Sequence, residues 1–378
     1  MDNSRVRSAS VSASVSPPLS PHNPLAAAPA KQHSSLHRLL DQSQQFSPEY
    51  GGQLSNHLPM ALHALHALGA NEARLQSFFN AYATSHLANR ATPAIADSPE
   101  ADRAGGESLD WQACFGQLAA FNALRRHFSG MLSRQGRDAV LREVLPELLP
   151  GLAAAAFHGA IRTAHAVESE HEVELASALA YWTCRWQPLP APLTDGTPVP
   201  MLGLDAWAKR LRHEARTWRG DAPLIFLRMQ QASATPSLAS LAVALAPATS
   251  GRDRLAELAS LALTLYLESR SFTVLHMITG LRALRVLSTW FDLDAAPVQP
   301  LLARVFVAAF MASGAQRQDL LPAIAAALRK HASWQALAAA AVQADDEHEI
   351  KLVHACREEM AVFGDERYLH AAALVLTR

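Results

Sequence analysis

Gly151-Leu152-Ala153-Ala154-Ala155-Ala156-Phe157-His158-Gly159-Ala160-Ile161-Arg162-Thr163-Ala164-His165-Ala166-Val167-Glu168 is a run of small and apolar residues with ionisable side chains set into it at intervals. His158, Arg162 and His165 fall at i, i+4 and i+7, so a helix places them on one face. The remainder of the run should pack deep. A buried ionisable group is costly unless something satisfies it. A single histidine is satisfied by a carbonyl; three polar residues in register call for a wet cavity or a metal. Glu168 either extends the stripe or is exposed. The same three residues interrupt the apolar run that comes nearest to a membrane span, and no stretch of about 18 uncharged apolar residues occurs elsewhere.

The helical period continues on both sides. From His33 onward, apolar spacing predicts helices over 55–69, 72–86, 111–134, 137–149, 172–186, 203–217, 222–231, 251–268, 271–285, 297–311, 318–342, 345–354 and 366–376. Period-two alternation is scarce. The expected class is therefore all-α: one large bundle-like helical domain. Residues 1–33, rich in Ser, Pro and Ala, read as a disordered tail ahead of a single helical domain over 34–378. Residues 90–108 and the proline-rich 187–200 read as loops.

Composition narrows the function. The chain has 378 residues, 49% of them hydrophobic and 18% charged, and a formal net charge of −1. That balance carries no electrostatic footprint for nucleic acid. Cys114, Cys184 and Cys356 are few, odd in number and far apart, which fits a reducing, cytoplasmic setting rather than a disulfide framework. No partner membrane is expected. There is no GxGxxG after a strand, so no flavin or dinucleotide module is expected. GxxxxGK[ST], GxSxG and HExxH are also absent, as is the dipeptide His-Asp.

Three further stretches set a histidine into an apolar helix. Ser55-Asn56-His57-Leu58-Pro59-Met60 opens a helix with capping residues and a proline near its first turn. His63 and His66 follow on a shared face. Leu275-His276-Met277-Ile278-Thr279-Gly280 is too apolar to be a surface. Asp346-Glu347-His348-Glu349-Ile350-Lys351 mixes charge with apolar residues, and His348 and Lys351 lie three apart on one face. His354, six beyond His348, points elsewhere. Lys351 is conspicuous because only four of the 33 Lys and Arg residues are Lys. Unlike Arg, a buried Lys can lose its proton and act as ligand, base or nucleophile.

Taken singly, each histidine reads as a satisfied core residue, and the Lys351 stretch as a solvated face. Spread over the whole chain, the four stretches suit facing helices that converge on one internal site. Imidazole suits iron, zinc, copper or nickel.

These four stretches, in this order, resemble the questin oxidase-like family from about residue 36 onward. The resemblance implies a non-haem iron oxygenase. Characterised fungal members open a ring of polyketide anthraquinones oxidatively. It implies Fe(II) held by His57, His158, His276 and His348, with Lys351 as a fifth ligand. An ammonium has no lone pair, so Lys351 would have to be neutral or carboxylated on Nζ. Asp346 and Glu347 would orient imidazole N–H groups. Arg162 and His165 would line the pocket, Arg162 holding an anionic phenolate or quinone oxygen. The partners implied are an aromatic or quinone-type small molecule and dioxygen, with electrons, where needed, from NAD(P)H or a reductase. Two alternatives stay open: a helical binding or scaffold protein with core histidines, and a helical metal-dependent hydrolase.

Overall fold

The computed structural model describes residues 30–88, 109–191 and 199–377, with side chains from Ser35 onward. The expected tail and the 90–108 loop lie outside these residues, except that Ala30–His33 already belong to the first helix. Residues 192–198 of the expected 187–200 loop are likewise outside them.

Seventeen α-helices make up the described residues, with one minute hairpin. The first helix is α1 (Ala30–Ser43). The hairpin follows, β1 (Glu49–Tyr50) paired antiparallel with β2 (Leu54–Ser55). Then come α2 (Leu58–Ala67), α3 (Glu72–Tyr82), α4 (Phe121–Gln135) and α5 (Arg137–Leu148). Next are α6 (His158–Glu168), α7 (Glu172–Arg185), α8 (Leu204–Glu214), α9 (Ile225–Ser233) and α10 (Pro236–Val243). The C-terminal part is α11 (Gly251–Ser269), α12 (Phe272–Leu287), α13 (Val298–Ser313), α14 (Leu321–Lys330), α15 (Trp334–Gln343), α16 (Glu347–Phe363) and α17 (Arg367–Val375). None of these helices is long and apolar enough to cross a membrane.

Four helices form the inner ring. α2 packs on α6, α6 on α12, α12 on α16, and α16 back on α2. The others back this ring: α1 and α3 behind α2, α7 behind α6, α11 and α13 behind α12, α15 and α17 behind α16. α2, α6 and α12 are buried almost all round, as their sequences required, and α16 is buried over Glu347–Cys356 apart from Glu349. In α12, thirteen of sixteen residues are buried, Phe272 being one exception. A helix without a polar face belongs in the centre of an assembly.

Two local departures from the predicted elements matter for the site. The helix expected from Gly151 begins only at His158. Before it, Ala155, Ala156 and Phe157 are left-handed, with φ of 48°, 54° and 71°. Left-handed backbone costs an L-residue roughly 1–2 kcal/mol, and nothing in an Ala-Ala-Phe sequence advertises it. The second departure is the hairpin. Gly51 and Gly52, with φ of 55° and 84°, turn the chain where a helix start was expected at Ser55. Tyr181 donates to Glu49 Oε1 at 3.0 Å and lies 2.7 Å from Ser55 Oγ, which pins both strands to α7. The expected 111–134 helix is also shorter, two single 3-10 turns preceding α4.

Close approach of the ring helices depends on two glycines. A Cβ on Gly159 would stand 2.5 Å from Trp182 Cγ, and one on Gly280 would stand 2.9 Å from the Phe157 ring. Trp182 is 1% exposed and cannot swing away. Gly159→Ala would ordinarily favour a helix by up to about 1 kcal/mol. Here overpacking of about 1–3 kcal/mol opposes that gain. We expect the variant to melt several degrees lower; an unchanged or raised melting temperature would contradict this packing.

Candidate metal centre

The ring helices bring four histidines together near their N-terminal ends. His57 is the N-cap of α2, His158 the first residue of α6, His348 the second of α16, and His276 the fifth of α12. The His57 and His158 rings are 4.6 Å apart, His57 and His348 4.8 Å, His158 and His276 5.0 Å, and His276 and His348 5.3 Å. All four are at most 9% exposed.

Each ring uses Nδ1 on an acceptor. His57 Nδ1 is 3.0 Å from Glu347 Oε1, His158 Nδ1 2.5 Å from the Ala155 carbonyl, His276 Nδ1 2.9 Å from the Phe272 carbonyl, and His348 Nδ1 3.1 Å from Asp346 Oδ1. An acceptor at Nδ1 fixes the proton there and leaves Nε2 with a lone pair. The left-handed turn before α6 is what presents the Ala155 carbonyl, so its strain has a use. Asp346 caps α16, its side chain accepting from the His348 amide at 2.8 Å as well.

The consequence is that the imidazole protons are held on Nδ1 and the Nε2 lone pairs are left over. His57 Nε2 and His158 Nε2 face each other at 2.7 Å. His348 Nε2 is buried with no hydrogen-bond partner. Burial holds His57, His158 and His276 well below the usual imidazole pKa, and neighbouring positive groups push the same way. His348 is lowered by burial too, against the opposing pull of Asp346. Neutral imidazoles with a free Nε2 lone pair are the form a cation needs. The donor atoms of His57, Glu347 and His348 lie within 4.8 Å of one another.

Lys351 lies one turn along α16, 2% exposed, and acts electrostatically on all four histidines. Burial pushes its ammonium down to about 8, with Glu347 and Asp346 opposing. Four helix N-termini add roughly half a positive charge each. That field disfavours an ammonium and favours an anion at the same place.

Phe272 marks the outer edge. Its ring is 4.7 Å from His276 and 4.6 Å from His348, yet it is 42% exposed. A cleft of about 580 Å³ lined by Pro146, Leu149, Phe291, Val298 and Leu301 touches none of the four histidines.

The structure thus brings His57, His158, His276, His348, Lys351, Asp346 and Glu347 to one place. It does not bring Arg162 there. That guanidinium donates to Glu174 through Nε at 2.6 Å and Nη2 at 2.9 Å, and lies over the Tyr181 ring. The same helical face looks at different neighbours along its length, and a long side chain four residues on reaches α7 instead. His165 sits in a second layer of the bundle with His63, His354 and Arg282. The sequence held a signal for that layer. The pairs His57 and His63, His158 and His165, His276 and Arg282, and His348 and His354 repeat a six- or seven-residue step on all four helices.

The questin oxidase-like family model matches residues 54–356, well over half of the chain. The chain belongs to the questin oxidase-like family. No curated protein matches it. Membership of an oxidase-like family identifies an oxidoreductase acting on a small molecule. The matched span begins just before His57 and runs past Lys351, so all five proposed ligands of this questin oxidase-like protein lie within it.

Proposed function

We propose that this protein is a non-haem iron oxygenase that opens, or otherwise cleaves a C–C bond of, an aromatic or quinone-type substrate with dioxygen. One observation carries the metal: four neighbouring buried imidazoles spend Nδ1 on acceptors, the Nε2 atoms of His57 and His158 face each other at 2.7 Å, and that of His348 is buried without a partner. Without a cation those lone pairs repel. The donor set fits iron, with His57, His158, His276 and His348 as ligands and Lys351 as the fifth. Bound there, iron supplies the one-electron redox chemistry that lets dioxygen react with a closed-shell aromatic.

The protein's own groups have separate tasks. Glu347, Asp346 and the Ala155 and Phe272 carbonyls hold the imidazoles in one tautomer. Lys351, its ammonium weakened by burial, reacts as the free amine with carbon dioxide, forming an N–C bond and releasing a proton. The resulting carbamate is an oxygen donor and meets the positive field of the helix N-termini. Phe272 offers an exposed aromatic face beside two of the ligands, which suits a flat apolar substrate. Ring opening that inserts both atoms of dioxygen needs no outside electrons. A reaction that inserts one atom and releases the other as water would draw two electrons from NAD(P)H or a partner reductase.

The test is oxygen uptake by Fe(II)-loaded protein offered anthraquinones and their hydroquinones, with His276→Ala beside it. We expect substrate-dependent uptake that falls at least a hundredfold in the variant. Ester or phosphate hydrolysis without uptake would instead establish a hydrolase. Neither activity, together with no bound metal, would leave a scaffold whose Lys351 ammonium donates to the imidazoles.

A further inference from the structure

The second layer of the bundle carries its own constellation. His63 Nδ1 and His165 Nδ1 face each other at 2.8 Å, and the His354 ring lies 5.4 Å from each. Glu168, one turn beyond His165 on α6, gives Oε1 to Arg282 Nη2 at 2.6 Å. Its other oxygen, Oε2, is buried without a hydrogen-bond partner, and so is His354 Nδ1. Donor atoms of His63, His165 and Glu168 all lie within 4.8 Å of one another.

We propose that His63, His165 and Glu168 form a second metal site, taking a divalent first-row ion, with His354 beside it as a further ligand or as the partner of a bound water. Two imidazoles and one carboxylate are a donor set that such ions accept with positions left open. One cation would satisfy the facing Nδ1 atoms and the free Glu168 oxygen together. The step of six or seven residues at 1.5 Å per residue places this site about 9–10 Å from the four-histidine centre, along the same bundle. Arg282 occupies the fourth corner, where the first layer has His276. Its charge is offset by Glu168 and by Glu359 and Glu358. Glu168 reaches the surface, its side chain 25% exposed, which gives an ion a way in.

The site does not depend on the oxygenase reading, and one titration separates the two. Wild type, His348→Ala, His165→Ala and Glu168→Gln are stripped with chelator, reloaded with Zn²⁺ alone, freed of excess and counted by elemental analysis, with circular dichroism confirming the fold. Two equivalents in wild type and one in each variant are the expected result. Glu168→Gln keeps an acceptor for Arg282 and settles the matter if His165→Ala does not fold. One equivalent in wild type that Glu168→Gln retains and His348→Ala loses would overturn the second site and leave the first. One equivalent that His348→Ala retains and Glu168→Gln loses would support the second site and remove the first. No bound zinc would overturn both.

Discussion

Acidifying the metal-free protein from pH 7 to pH 5.5 should unfold it. Seven imidazoles of the two layers, those of His57, His63, His158, His165, His276, His348 and His354, have pKa values lowered by burial. In the unfolded chain each returns to about 6.5. Below that pH the unfolded state binds more protons than the folded one, so stability falls as pH falls. The contribution is fully present above pH 6.5 and is lost from there downward, toward the depressed folded values. Each group removes about 1.4 kcal/mol for each pH unit once well below 6.5. Seven groups acting in the same direction remove several kcal/mol over this range, a large part of the stability of an ordinary domain. The measurement is the far-UV circular dichroism melting temperature across pH 7.5 to 5.0 in chelator. A steep fall beginning near pH 6.5 is expected. A flat profile down to pH 5 would mean that these histidines are not buried neutral.

Replacing Lys351 by arginine should cost iron binding at least about tenfold, as loss of a well-placed ligand partner does, and should abolish oxygen consumption. Arginine stays charged and cannot form a carbamate. Its guanidinium would stand beside four inward-facing imidazoles and repel the cation they would hold. Lys351→Ala removes the charge and leaves space among the same groups. In that variant, acetate or formate can stand where the carbamate oxygens would be, and we expect added acetate to restore part of the binding. A carbamate carbon should appear in the ¹³C NMR spectrum of wild type under labelled carbon dioxide, and not in Lys351→Ala. Lys351→Arg that binds iron as tightly as wild type would remove this residue from the ligand set.

Much of this could be read in the sequence, for a definite reason. Each candidate ligand sits in an apolar helix where an ionisable side chain is an anomaly, and anomalies of that kind are visible one helix at a time. The ring α2–α6–α12–α16 then makes them meet. What periodicity could not show was depth along the bundle. His158 and His165 share a face, yet seven residues separate them into different layers. Arg162 shares the face as well, but its length delivers the charge to Glu174. Periodicity turned His354 away from His348, which is how it stands, but only the packing of α2, α6 and α16 shows that it meets His63 and His165. The left-handed Ala155–Phe157 turn left no trace because none of its residues is one that favours positive φ. Its reason is tertiary: it aims one carbonyl at His158.

Crystals of protein loaded anaerobically with Fe(II), with data collected on both sides of the iron absorption edge, would test the four-histidine centre. An anomalous peak about 2.0–2.2 Å from the Nε2 atoms of His57, His158, His276 and His348, by analogy with imidazole–metal distances, is the expected result. Clear density for the four rings with no peak among them would contradict it.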